Sequence, residues 1–177
     1  MPNLYNDTEK LKEQADAQHQ RVIDILKEPK EPSIFDTVEK EVHLVTGGLG
    51  HIGSYIVEYL VGSRDNAKII VVDNLYNGNY ANIEPARSKA AARQNEIIVH
   101  EIDIEDGDTT DGDDMLDLFE YFEPQFVYHQ ASMLTLDSAK HRRKAIDVNI
   151  VGFTNILELC NIYQVKKLVF ASSASVF

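Results

Sequence analysis

Four glycines crowd the segment Thr46-Gly47-Gly48-Leu49-Gly50-His51-Ile52-Gly53. Backbone stripped of side chains in this way can approach a phosphate closely. Gly47 permits a tight turn, Gly50 removes the Cβ that would collide with a pyrophosphate, and Gly53 lets a following helix pack closely on the preceding strand. His51 and Ile52 open that helix, so their N–H groups lack intrahelical partners and sit at the positive end of the helix dipole. Asp73 stands 20 residues beyond Gly53, the spacing at which an acid meets the ribose of a dinucleotide. Its carboxylate would accept from both ribose hydroxyls, each bond worth roughly 1.5–3 kcal/mol, and would repel a 2′-phosphate. The residues after it, Asn74-Leu75-Tyr76-Asn77-Gly78-Asn79, include no cation to welcome one. This chemistry points to NAD rather than NADP.

A glycine motif needs a strand before it and a helix after it, and the surrounding pattern supplies both. Short β-branched runs predict strands at 42–46, 67–73, 96–102, 126–129 and 167–171. Helical stretches fall between them at 51–61, near 83–94, at 115–122 and over about 145–163. Strands alternating with helices of this length indicate βαβ units and a parallel sheet. The runs Ile69-Ile70-Val71-Val72 and Leu168-Val169-Phe170 fit strands covered on both faces. The fold class is therefore α/β, a Rossmann-type doubly wound parallel sheet, incomplete at the C-terminus. Residues 1–40 read as an N-terminal helix and linker. Asn6 and Glu9 can cap a helix start, Leu11, Ala15, Val22 and Leu26 give a thin apolar stripe, and Pro29 and Pro32 end it. Residues 41–177 form the nucleotide-binding domain.

Bulk properties exclude several classes. The 177-residue chain carries a net charge of −12, which repels nucleic acid backbones. Much of that charge lies in Glu101, Asp103, Glu105, Asp106, Asp108, Asp111, Asp113 and Asp114, whose spacing does not follow a calcium-binding loop, so a solvated loop without metal is expected. The single cysteine, Cys160, lies in an apolar helical stretch and reads as a core residue. No apolar run approaches the roughly 20 residues of a membrane span. The start, Met1-Pro2-Asn3, lacks the regions of a secretory signal. The expectation is a cytoplasmic protein that touches neither membrane nor nucleic acid.

Five segments in order resemble the extended short-chain dehydrogenase/reductase family, among its NAD-dependent nucleotide-sugar epimerases and dehydratases. Residues 46–53 resemble that family's Thr-Gly-Gly-x-Gly-x-x-Gly, and Asp73-Asn74-Leu75 resembles the Asp-Asn-Leu common in UDP-sugar epimerases. Asp103-Ile104 is similar to a pair that contacts adenine, and Val127-Tyr128-His129-Gln130-Ala131-Ser132 to a segment lining the cofactor. Ala171-Ser172-Ser173-Ala174-Ser175-Val176-Phe177 resembles the strand that bears an active-site serine. The resemblance implies that Asp103 and Ile104 hold adenine, that Gln130, Ala131 and Ser132 pass close to the cofactor, and that Asn149 helps fix the active-site backbone. It places Ser173 at the catalytic serine position, with Ser172 and Ser175 as weaker candidates. It gives His129 a structural role beside the cofactor. A hydroxyl at the carboxyl end of a parallel strand also stands where such sheets bind ligands.

In that family the base is a tyrosine in a Tyr-x-x-x-Lys pair, whose lysine lowers the tyrosine pKa. The pair lies beyond the serine strand, and this sequence stops at Phe177, where the family usually has tyrosine. The match Tyr163-Gln164-Val165-Lys166-Lys167 precedes the serine strand and is read as coincidence. The sixth strand and the substrate domain are missing too. The reading is the NAD-binding portion of a nucleotide-sugar epimerase or dehydratase that works through a 4-keto sugar, inactive by itself. By resemblance it would form a homodimer through the helices near 115–122 and 145–163. A non-catalytic NAD-sensing or scaffold module and a related alcohol or steroid dehydrogenase stay open.

Overall fold

The runs at 41–46 and 67–73 become strands buried on both faces, whereas the run Leu168-Val169-Phe170, expected to be covered on both faces, leaves Val169 and Phe170 exposed at the sheet edge. The computed structural model describes residues 40–104 and 115–172. Strands β1 (Glu41–Thr46), β2 (Ala67–Asp73), β3 (Glu96–Glu101), β4 (Phe126–His129) and β5 (Lys167–Phe170) form one parallel sheet in the order β3-β2-β1-β4-β5. The chain moves outward from β1 to β3, then returns to place β4 on the other flank of β1. Thr46 is level with Val72 on one side and with His129 on the other. A crevice opens at the carboxyl ends of β1 and β4, where connections leave in opposite directions.

Helix α1 (His51–Ser63) joins β1 to β2. A 3₁₀ turn (Tyr80–Ile83) and α2 (Glu84–Ala90) join β2 to β3, and α3 (Met115–Phe122) precedes β4. A short α4 (Thr135–Lys140) and the long α5 (Arg142–Ile162) join β4 to β5. Alternation along the strands sends side chains to two cores. Leu44, Ile70, Val72 and Val127 pack with Phe119, Val148, Ile156 and Leu159 from α3 and α5. Val45, Ile69 and Val71 pack with Val57, Leu60, Val61, Ile83 and Ala86 beneath α1 and α2. Each such side chain contributes about 1.5–3 kcal/mol on burial. The buried Asn95 ties the end of α1 to the sheet: its Oδ1 accepts from Ala67 N, and its Nδ2 donates to Val61 O and Arg64 O.

The helix expected near 83–94 is broken into 3₁₀, α and 3₁₀ pieces, with Pro85 in its first turn and Gln94 closing it at φ 58°. α4 has no counterpart in the sequence reading. α5 begins three residues earlier than expected, and its middle, Asp147–Gly152, is π-helical. Among the described residues α5 is also long and apolar enough to cross a membrane by length and composition, which the reading of apolar runs missed. It is laid on the sheet through Val148, Ile156 and Leu159. The N-terminal helix, the acidic residues from Glu105 to Asp114, and Ser173 and Ser175 lie outside the described residues.

Candidate cofactor-binding site

The glycine segment leaves β1 and folds back on the strand ends. Gly47 N donates to Val72 O at 2.7 Å, and Gly48 N reaches the same oxygen at 3.3 Å. Gly47 takes φ +65°, and a Cβ there would stand 2.7 Å from Ala131 N and 2.8 Å from Gln130 C. Its missing side chain therefore permits both the turn and the close passage of the β4 exit. At Gly53 a Cβ would collide with Gly47 O and lie 2.7 Å from Gly48 Cα. The start of α1 thus packs on the glycine turn itself, rather than on the strand that the sequence suggested.

Gly50 differs from both. Its φ of −74° and ψ of 177° suit any residue, and a Cβ would meet Gly47 O at 3.2 Å and nothing else nearby. Its conformation does not demand glycine, its one close neighbour would have to give by a few tenths of an ångström, and Gly50 lines the cleft. Gly50 is also the N-cap of α1, with no side-chain cap and no acid in the first turn. The N–H groups of His51, Ile52 and Gly53 have no i−4 partner. Such a helix start favours an anion.

The other walls converge on this point. Asp73 is buried at the end of β2, its Oδ2 accepting from Leu49 N at 3.0 Å and its Oδ1 from Leu75 N at 2.9 Å. Gly78 passes so close that a Cβ there would sit 2.5 Å from Asp73 Oδ1. A carboxylate has about four acceptor positions, and two remain. Gly47, Gly50, Asp73, Asn74, Ile104, Gln130, Ala131 and Ser132 line one cleft together with Val72, Asn77, Gly78, Ile102 and Val148. The sequence reading did not assign the latter five. Gly78, in an Asn-Gly pair five residues past Asp73, carried a readable signal, whereas Val72, Ile102 and Val148 looked like ordinary core.

Five other candidates stand back from the lining. His51 and Ile52 are exposed on the first turn of α1, and Gly53 is buried beneath it. Asp103 Oδ1 accepts from Asn74 Nδ2 at 2.5 Å, and its Oδ2 faces Lys144 Nζ at 3.8 Å. Asn149 clamps the chain beyond β4: its Oδ1 accepts from Met133 N at 2.7 Å, and its Nδ2 donates to Met133 O at 3.1 Å.

His129 is buried under the site, beside the stacked rings of Phe153 and Phe170, with Nδ1 2.8 Å from Thr46 Oγ1. Ala131 N donates to that hydroxyl at 3.4 Å. Burial lowers the His129 pKa to about 4, so the ring is neutral at pH 7. Cys160 is half-buried against the core, and burial raises its pKa to about 11. Tyr163 caps the C-terminus of α5, and Lys167 begins β5 at its amino end, opposite the cleft. Among the described residues no three His, Cys, Asp or Glu side chains gather to hold a metal ion.

An uncapped helix start at the switch point of a parallel sheet, with a buried acid closing the second strand, defines a Rossmann-type nucleotide-binding domain. The family model for the NAD-dependent epimerase/dehydratase family matches residues 43–177, and the chain belongs to that family. It is 36% identical over 131 residues to a Methanocaldococcus jannaschii protein assigned as a UDP-glucose 4-epimerase, covering 73% of this chain and 37% of that protein. Among solved structures it resembles the UDP-glucose 4-epimerase of Thermus thermophilus in complex with NAD, with 33% identity and a TM-score of 0.59 over 75% of this chain and 37% of that one. It also resembles the Thermotoga maritima UDP-glucose 4-epimerase with UDP-glucose, with 31% identity and a TM-score of 0.62 over 75% and 38%. The chain thus spans less than two fifths of the length of these relatives.

Proposed function

We propose that this chain is the NAD-binding portion of a nucleotide-sugar epimerase or dehydratase. The observation that carries the reading is the open space at Gly50 above the uncapped start of α1, with Asp73 across the cleft. A pyrophosphate fits that helix start, and the two remaining acceptor positions of Asp73 suit the adenosine ribose hydroxyls. Asp103 and Ile104 hold the adenine, while Gln130, Ala131 and Ser132 follow the cofactor toward the β4 exit. Asn149, through Met133, keeps that exit in place. NAD, when bound, supplies the hydride acceptor that converts the sugar C4 hydroxyl to a ketone and later returns the hydride. Ser173, at the position the family resemblance gives to the catalytic serine, donates to the sugar oxygen. His129 stays neutral and supports Thr46 without taking a proton.

The relatives named as UDP-glucose 4-epimerases support a UDP-sugar as the substrate of the complete protein. The apolar side chains Ile146, Ile150 and Leu157, exposed on α5, support a homodimer. The polypeptide 1–177 is expected to bind NAD in titration calorimetry, to prefer it over NADP and to leave UDP-glucose unchanged. Equal affinity for NADP would remove the role of Asp73, and turnover by 1–177 would show that the base lies within it.

A further inference from the structure

Gly152 lies in the middle of α5 with φ −56° and ψ −42°, an ordinary helical conformation. Glycine there costs about 1 kcal/mol against alanine, so its presence needs a reason other than backbone freedom. The reason is Ile104. A Cβ on Gly152 would stand 2.8 Å from both Cδ1 and Cγ1 of Ile104 and 3.4 Å from its carbonyl carbon. Three residues on, Asn155 Nδ2 donates to Ile104 O at 3.3 Å. One turn earlier, Val148 lines the cleft beside Ile104 and Ile102. The same stretch of α5 therefore supplies part of the cleft wall and seats the residue next to it.

We propose that Gly152 is a positioning residue for the adenosine end of the cofactor, acting through Ile104. It lets Ile104 sit back against α5, which sets the width of the slot facing Asp73 and Gly78. The proposal rests on the reading that this cleft holds NAD. Carbon atoms in contact prefer about 3.5–4.0 Å, so alanine at 152 would push Ile104 by roughly 0.7–1.2 Å. Ile104 lines the cleft, so a displacement of its side chain alters that wall. Asn155 restrains the backbone of Ile104, so the side chain takes up most of the shift.

The test uses the full chain, with NAD and ADP titrated by calorimetry and folding followed by thermal melting. Gly152→Ala is expected to weaken both ligands by about tenfold or more, because ADP retains the adenosine and pyrophosphate. Ile104→Ala removes the colliding atoms, so adding Gly152→Ala to it should change either affinity less than about twofold. Equal penalties in the two backgrounds, or a loss for NAD without one for ADP, would overturn the proposal. If Gly152→Ala alone does not fold, the double variant should melt close to Ile104→Ala, and failure to do so counts against Ile104 as the obstacle. Asn155→Ala adds no bulk and should weaken both ligands a few-fold by loosening Ile104; unchanged affinities would contradict the tether. Failure of the unsubstituted chain to bind NAD would overturn the cofactor reading itself, and this inference with it.

Discussion

Asp73 holds the fold and the proposed ligand with the same carboxylate, and the two duties can be separated. Replacing it with alanine strands the N–H of Leu49, which is buried, and that of Leu75, which is half-buried. A stranded donor costs about 1–3 kcal/mol, so Asp73→Ala should lose roughly 2–4 kcal/mol of stability. Asp73→Asn keeps an acceptor for one of those N–H groups and should lose less. Neither variant keeps a charged acceptor for both ribose hydroxyls. At about 1.5–3 kcal/mol for each such bond, NAD affinity should fall at least about a hundredfold in both. The gap between NAD and NADP should also narrow, because the charge that repels a 2′-phosphate is gone. Urea denaturation gives the first quantity and calorimetry the second. If Asp73→Asn keeps the NAD preference of the parent while losing stability, Asp73 is only a strand-end cap.

The two outer glycines of the helix start should behave oppositely. Gly50→Ala fits its backbone and should change stability by less than about 1 kcal/mol, yet weaken NAD at least tenfold by filling the pyrophosphate space. A Cβ at Gly53 meets three backbone atoms, so Gly53→Ala should cost several kcal/mol and lower the melting temperature sharply; similar melting for the two variants would contradict this division. Acid should weaken the fold through His129. Its pKa is about 4 in the folded chain against 6.5 unfolded, so the unfolded chain gains the proton first. Stability is full above about pH 6.5 and is lost as pH falls toward 4, by about 2 kcal/mol between pH 7 and 5. His43, also lowered by burial, acts in the same direction. Denaturation curves that coincide at pH 7 and 5 would show that His129 is not held neutral.

The inner strands were legible because parallel strands buried on both faces write themselves as unbroken apolar runs, a rule that misjudged the exposed edge run Leu168-Val169-Phe170. Ala67–Asp73 and Phe126–His129 fall at the expected residues. The glycine turn was legible because three of its positions answer to distinct spatial demands. What escaped the sequence has no periodic signature. Thr135-Leu136-Asp137-Ser138-Ala139-Lys140 is too short to show an apolar stripe, and its Leu136 is exposed. The π-helical segment depends on i→i+5 bonding, which side-chain spacing does not report. Asn149 could be found by resemblance, but its grip on Met133 needed coordinates. Gly152 passed unnoticed because a helical glycine reveals its purpose only when the opposing side chain is known. Val148 and Ile102 illustrate the same difficulty, since a cleft wall made of aliphatic residues reads as core.

The central position of β1 also sets the order in which the domain can assemble. Leu49 and Asp73, which join the glycine turn to β2, are separated by 24 residues, whereas Thr46 and His129, which join β1 to β4, are separated by 83. Closing the longer loop costs about 1 kcal/mol more, so β1, α1 and β2 form the favoured nucleus. During synthesis that unit leaves the ribosome with the anion-binding helix start already made. The surface against which Gly47 closes, at Gln130 and Ala131, arrives only when β4 docks. Until then the turn is held from the side of β2, by Val72 and Asp73, and a nascent chain would gain full affinity for a dinucleotide late, as the second half of the sheet zips onto the first.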